Sequence, residues 1–241
     1  MSRITNKSGE ANKSYMRGEV KGILKLLTPL LPKDSELVEA DIGLIRAKQL
    51  EEERIQAKVF RNLLCEEEDF SHTLFRGVKF ENCRFWNCSF ERAEFTDIVF
   101  QTSDVSGCNF SDSFINRTSF RSCKGIGSKF TGTVIKNLHI TECNLNYANF
   151  DSSRFENVKI ERTKLESSNL TQCRLKQVVW REVSLVNASF FHTALCNMDF
   201  SDSVIHGLSL SDDNRELQGA VVDLYQAAEL AKRLGIVIKE L

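Results

Sequence analysis

The sequence predicts a mainly β protein wound as a square coil, and three observations carry that prediction. From Phe70 to Leu210 the chain repeats every five residues without a slip. The series opens Phe70, Phe75, Phe80, Phe85, Phe90, Phe95, Phe100 and closes Phe190, Leu195, Phe200, Ile205, Leu210; of its 29 positions 28 are large and apolar, and Gly125 alone departs. Two residues before most centres stands a small or slender side chain, as at Cys83, Cys88, Ala93, Ser103, Cys108, Thr118, Ala148, Ser168 and Thr193. The other three positions of each quintet are mostly polar. A helical stripe recurs at 3.6 residues and a strand face at 2, so a period of five fits neither. It fits one side and one corner of a square, with about four quintets to a circuit.

The elements follow in order. Residues 1–13 are polar and predict a disordered start. From Tyr15 to Leu31, Val20, Ile23, Leu24, Leu26, Leu27, Leu30 and Leu31 give a helical pattern that Pro32 stops. Asp34 or Ser35 supplies an N-cap. A second helix is expected to about Cys65, with Leu37, Val38, Leu44, Ile45, Leu50, Ile55, Val59, Phe60, Leu63 and Leu64 on its apolar side. Residues 1–65 thus read as a helical segment. It either packs on itself and the first coil or binds a partner, because an amphipathic helix must bury its stripe. Residues 66–211 form the coil, a rod of roughly 35 Å at the spacing of adjacent strands and without projecting loops. Its open sheet edges lie only at the two ends and require covering. The tail, residues 212–241, leaves the register. Leu217 to Val222 make a last partial turn, Asp223 caps a helix to Leu234, Gly235 stops it, and Ile236 to Ile238 read as a short strand.

Several triplets carry a resemblance. Ala93-Glu94-Phe95, Cys108-Asn109-Phe110, Cys143-Asn144-Leu145, Ala148-Asn149-Phe150, Ser168-Asn169-Leu170 and Met198-Asp199-Phe200 read as small, acidic or amide, then apolar. In this the chain resembles the pentapeptide-repeat proteins. That resemblance implies a right-handed quadrilateral β-helix. The tail is similar to the one that closes the gyrase-protecting members of the Qnr and MfpA type, where it builds a two-fold dimer. The resemblance therefore implies Leu224, Leu230 and Leu234 as cap or dimer residues.

Composition narrows function. Net charge is −1, which gives no field directed at nucleic acid or an acidic membrane. No apolar run is long enough to span a bilayer, and the polar start is not a secretory signal, so a cytoplasmic protein is expected. Six of the eight cysteines occupy the small slot and read as packing residues. Cys123 and Cys143, one circuit apart, should stack. His72, His139, His192 and His206 fall on three faces in a spacing that assembles no metal set or nucleophile–base pair. No catalytic, metal or cofactor residue is assigned, and no enzyme is expected.

Two functions remain in play. The resemblance implies a DNA mimic that binds type II topoisomerase, here DNA gyrase, with quinolone or toxin protection. Glu91, Asp112 and Asp151 are its candidate acidic residues. Residues 69–211, however, hold 15 acidic and 16 basic residues, and a neutral rod cannot imitate phosphates by charge. The preferred reading is a protein-interaction rod. Leu74, Phe114 and Val134 share one outward column on the Phe75 face. Trp86, Ile126 and Val186 share another on the Phe85 face, with Tyr147 nearby. Exposed apolar patches mark contacts. The N-terminal helices either cover one of these columns or join the surface. Direct nucleic-acid binding is not expected, because only the Phe75 face is basic. Gly125 should mark a local defect, either a void or a place where Ile126 turns inward.

Overall fold

The computed structural model describes residues 25–239. The strands are β1 (Val38–Glu39), β2 (Ile55–Arg61), β3 (Leu64–Glu66), β4 (Leu74–Glu81), β5 (Arg84–Trp86), β6 (Glu94–Gln101), β7 (Phe114–Arg121), β8 (Val134–Thr141), β9 (Arg154–Glu161) and β10 (Arg174–Arg181). All but β3 and β5 form one parallel sheet in the order β1-β2-β4-β6-β7-β8-β9-β10. Pairing between coils has an offset of twenty residues, as in Phe75↔Phe95 and Phe80↔Phe100. Four quintets therefore close one circuit, and about seven circuits stack into a solenoid.

Backbone geometry explains the period of five. Every fifth residue from Glu52 to Asn197, 30 positions in all, has a positive φ. This residue lies two after each centre and turns the corner. A left-handed conformation costs an L-residue about 1 kcal/mol, and β-branched side chains suffer most. Thr102 is the one β-branched residue among the 30. The small slot has its own chemistry. Its hydroxyl or thiol donates to a carbonyl one coil below: Ser128 to Val105 at 2.7 Å, Thr133 to Phe110 at 2.8 Å, Cys108 to Phe85 at 2.9 Å. An amide or carboxylate before the centre closes a local turn across it, as when Asn149 Oδ1 accepts the Asp151 N–H at 3.0 Å.

The centres fill the bore. Phe100 stacks on Phe80 and Phe120 with ring centroids 4.7 and 4.6 Å away, and Phe130 stacks on Phe110 and Phe150 at 4.8 and 4.9 Å. Gly125 leaves neither a void nor room for Ile126. A Cβ built there would lie 2.6 Å from Leu145 Cδ2. Leu145 leans down from the next coil into the vacant volume, so Ile126 stays outward and half exposed. The buried cysteines pack as expected, and the Cys123 N–H donates to Cys143 Sγ at 3.3 Å. Burial pushes the Cys173 thiol up to about 12 and Cys83 to about 11, so both are neutral thiols at pH 7.

The N-terminal part departs from expectation. The second helix is confined to α1 (Ile42–Leu50), capped by Asp41, whose carboxylate accepts the Leu44 N–H. Ile55, Phe60 and Cys65 are instead buried centres of a first coil. Their spacing satisfies a helix stripe and the five-residue register alike, and the corner conformation at Ala57 and Asn62 decides between them. α1 lays Ile45, fully buried, across the open end of this coil. Residues 25–33 are not helical; the remainder of that expected helix, and residues 1–13, lie outside the described residues. The described stretch crosses the outside of the coil, where the Leu30 N–H donates to Asp97 at 3.0 Å.

At the other end, Val221 bridges Asp199 as the last partial turn. Asp223 caps α2 (Leu224–Lys232) in a capping box with Gln226. Gln226 Nε2 also donates to the carbonyls of Phe200 and Ser203, at 2.9 and 2.6 Å, which covers part of the terminal edge. Gly235 follows at φ +75°. Ile236 to Ile238, expected as a short strand, form none among the described residues.

Candidate protein-interaction surface

Residues flanking each centre project outward and form columns along the rod. On the Phe85 face the expected apolar residues are open to solvent: Trp86 is 55% exposed, Ile126 39% and Tyr147 65%, while Val186 is half-buried. Leu64 on β3, 71% exposed, stands in the strand paired with β5 and extends this face toward the N-terminal end. On the Phe75 face Leu74, Phe114 and Val134 are only half-buried. Their column is not continuous: Glu94 separates Leu74 from Phe114, and Arg154 follows Val134.

The three acidic candidates do not assemble. Glu91 and Asp151 occupy one column but stand three coils apart, about 14 Å, with Ser111 and Thr131 between them. Asp112 lies at a corner beside Gly132. Of the tail candidates, Leu230 is packed against the coil, but Leu224 is 80% exposed and Leu234 67%. Gln226 and Leu230 take the inner side of α2, so Leu224 and Leu234 are not covered by the last circuit.

Sequence reasoning missed the buried ionic groups. Asp97, 4% exposed at its side chain, accepts two bonds from Arg117 at 2.6 and 2.7 Å as well as the Leu30 N–H. Burial pushes the Asp97 carboxyl up, but Arg117 and Leu30 outweigh it and hold it below the usual range. Glu161 accepts His139 Nε2 and Lys159 Nζ, each at 2.8 Å. Glu216 accepts the N–H of His192 at 2.8 Å and the Ser211 hydroxyl at 2.7 Å, which ties the tail to the coil. The twenty-residue offset was the available signal, since it sets Asp97 directly beneath Arg117.

These groups join neighbouring parts of the chain. Ser119 is the register partner of His139, but its buried Oγ makes no hydrogen bond to the ring. Among the described residues no group of three or more His, Cys, Asp or Glu could hold a metal. Among them, too, no helix is long and apolar enough to cross a membrane.

Residues 73–150 match the family described as pentapeptide repeat region, and residues 139–172 match pentapeptide repeats (8 copies). Residues 73–172 thus carry pentapeptide repeats. No curated protein matches it in sequence. Among solved structures, this pentapeptide-repeat protein is similar to a trypsin-treated variant of QnrB1, a plasmid-mediated fluoroquinolone resistance protein, at 25% identity and a TM-score of 0.49, over 76% of this chain and 90% of that one. Full-length QnrB1 aligns at 23% identity and a TM-score of 0.49, over 83% and 95% of the two chains. HetL, a pentapeptide-repeat protein involved in heterocyst differentiation regulation in the cyanobacterium Nostoc, aligns at 11% identity and a TM-score of 0.36, over 77% and 95%.

Proposed function

We propose that this pentapeptide-repeat protein is a non-enzymatic binding rod that engages a cytoplasmic protein partner through its outer faces. The observation that carries the reading is the open apolar surface of the Phe85 face, where Leu64, Trp86, Ile126 and Tyr147 stand exposed on a scaffold whose core is already filled. Exposed tryptophan and tyrosine are expensive to leave in water and are the residues that anchor interfaces. The N-terminal stretch and α1 contribute at one end of the same rod. A two-fold dimer through the tail fits the exposure of Leu224, Tyr225, Leu234, Ile236 and Val237, which would be covered in such an interface.

The test is affinity capture from native cytoplasm with the full chain as bait. Trp86→Ala with Ile126→Ser should weaken capture while the unfolding midpoint stays unchanged, since neither side chain belongs to the core. Undiminished capture by this variant would sink the reading. A parallel supercoiling assay with gyrase and a quinolone addresses the DNA-mimic alternative. Weak or absent protection is expected, because Glu91, Asp112 and Asp151 are dispersed and the coil region is electrically balanced. Potent protection abolished by neutralising those three residues would reverse the ranking.

A further inference from the structure

The Phe75 side of the rod carries a ladder four coils tall and two side chains wide. One column runs Phe114, Val134, Arg154, Arg174, and the column beside it runs Asn116, Lys136, Glu156, Lys176. With parallel strands about 4.8 Å apart, the ladder stands about 14 Å tall. Arg154 and Arg174 are direct register partners, and both are exposed. Like charges directly opposed across strands are destabilising.

The other strand pairs of this sheet avoid that arrangement. Where acidic, lysine or arginine side chains meet as register partners they are opposite in sign, as in Arg61↔Glu81, Lys136↔Glu156 and Glu161↔Arg181. Among the described residues no carboxylate lies within ion-pair distance of Arg154 or Arg174. The one acid in the ladder, Glu156, is taken by Lys176 at 2.6 Å and Lys136 at 3.6 Å. Four cations and one anion leave a local charge of +3.

We propose that this ladder binds an acidic protein segment, with two of the segment's carboxylates on Arg154 and Arg174 and an apolar side chain on Phe114 and Val134. An arginine fork matches a carboxylate in bidentate geometry. The half-buried apolar pair below it offers a second, different contact within the same span of about 14 Å, the reach of a short extended segment. Nucleic acid suits this surface less well. The apolar half gives phosphates nothing, and toward the N-terminal end the face carries Glu94 and the paired Asp97 and Arg117 before its next cation, Arg76. The inference rests on the reading of the chain as a binding rod, but it uses a different face from Trp86, so the two can fail separately.

Cys196 provides the reporter. It is the one exposed cysteine of the eight and follows Lys176 in its column one coil on. The full chain, labelled there with a neutral fluorophore, is titrated at about 0.15 M salt, the physiological ionic strength, with a random glutamate–tyrosine copolymer, polyglutamate, polyuridylate and phosphatidylserine vesicles. The copolymer is expected to bind at least tenfold more tightly than any other probe. Arg154→Ala with Arg174→Ala should weaken it at least tenfold. The same variant should unfold no earlier than the parent, because it removes an opposed pair of like charges. Tighter binding of polyuridylate or of vesicles would overturn the proposal, as would equal affinity for polyglutamate or an unaffected double variant. Loss of copolymer binding on Trp86→Ala would move the probe to the Phe85 face and refute this inference, while leaving the broader binding reading intact.

Discussion

Replacing Phe150 with alanine tests the square coil at its centre. Phe150 is 3% exposed, and its ring stacks on Phe130 at 4.9 Å with an interplanar angle of 8° and leans on Phe155 at 5.6 Å. Truncating a buried phenylalanine to alanine costs about 3–5 kcal/mol. Each ring–ring contact adds about 0.5–1.5 kcal/mol beyond the area buried, which puts this site toward the upper end. The site cannot collapse to heal the cavity, because the coil spacing is held by the backbone. The Phe150 N–H donates to the Asn169 carbonyl at 2.7 Å, and the Ser152 N–H to that of Thr171 at 3.0 Å. Equilibrium unfolding in urea measures the cost, with the slope reporting whether the transition remains cooperative. Phe150→Leu, which keeps most of the volume, should lose no more than about 1.5 kcal/mol. An alanine variant that loses less than about 1 kcal/mol at an unchanged slope would refute the reasoning, since no bore-filling residue could be removed so cheaply.

Other outcomes follow from the corners, the buried acid and the tail. Gly107 and Gly127 both turn corners with positive φ, but a Cβ would meet Asn87 Oδ1 at 2.2 Å at the first and nothing within 4 Å at the second. Both alanine variants should therefore lose about 1 kcal/mol for the left-handed backbone, and Gly107→Ala measurably more; equal losses would show that Asn87 is irrelevant. Asp97→Asn should cost about 2 kcal/mol at pH 7 by weakening the charged hydrogen bonds to Arg117. An unfolded aspartate titrates near about pH 3.9. Because the folded group lies lower, its stabilisation is complete above that value and is lost as pH falls through the folded value. The gap between parent and variant should thus close below about pH 4, and a gap constant down to about pH 2 would contradict the assignment. Leu224→Ser with Leu234→Ser should convert a dimer to a monomer in sedimentation without loss of the coil's circular dichroism. A parent that is already monomeric at high concentration would remove the tail from the interface. Deletion of residues 217–241 should expose the last sheet edge and cause aggregation, and a monodisperse truncation would show that the edge needs no cover.

Much of this architecture was legible in the residues. A period of five with a bulky centre and a small slot has one economical solution, and the buried centres, the stacked phenylalanines and the inert cysteines all follow from it. A further signal was present and overlooked. The position two after each centre excludes Val and Ile, because a β-branched side chain resists a left-handed corner. That column begins before Phe70, so it would have carried the coil back to Ile55 and kept the second helix short. The outward residues were harder to weigh. Trp86, Ile126 and Tyr147 are open as their column implied, whereas Leu74, Phe114 and Val134 are only half open.

The sequence by itself determined the repeat, the four-sided winding, the core and the electrical balance of the coil, because each depends on local spacing and composition. Only the tertiary structure decided which neighbouring side chains became partners in fact: Arg117 folded onto Asp97, Glu161 gathered His139 and Lys159, and Arg154 was left facing Arg174. It also decided that Leu145 fills the place of Gly125 and that the inner side of α2 is taken by Gln226 and Leu230. Such outcomes depend on side-chain reach and burial between coils, which the pattern of letters along one chain does not encode.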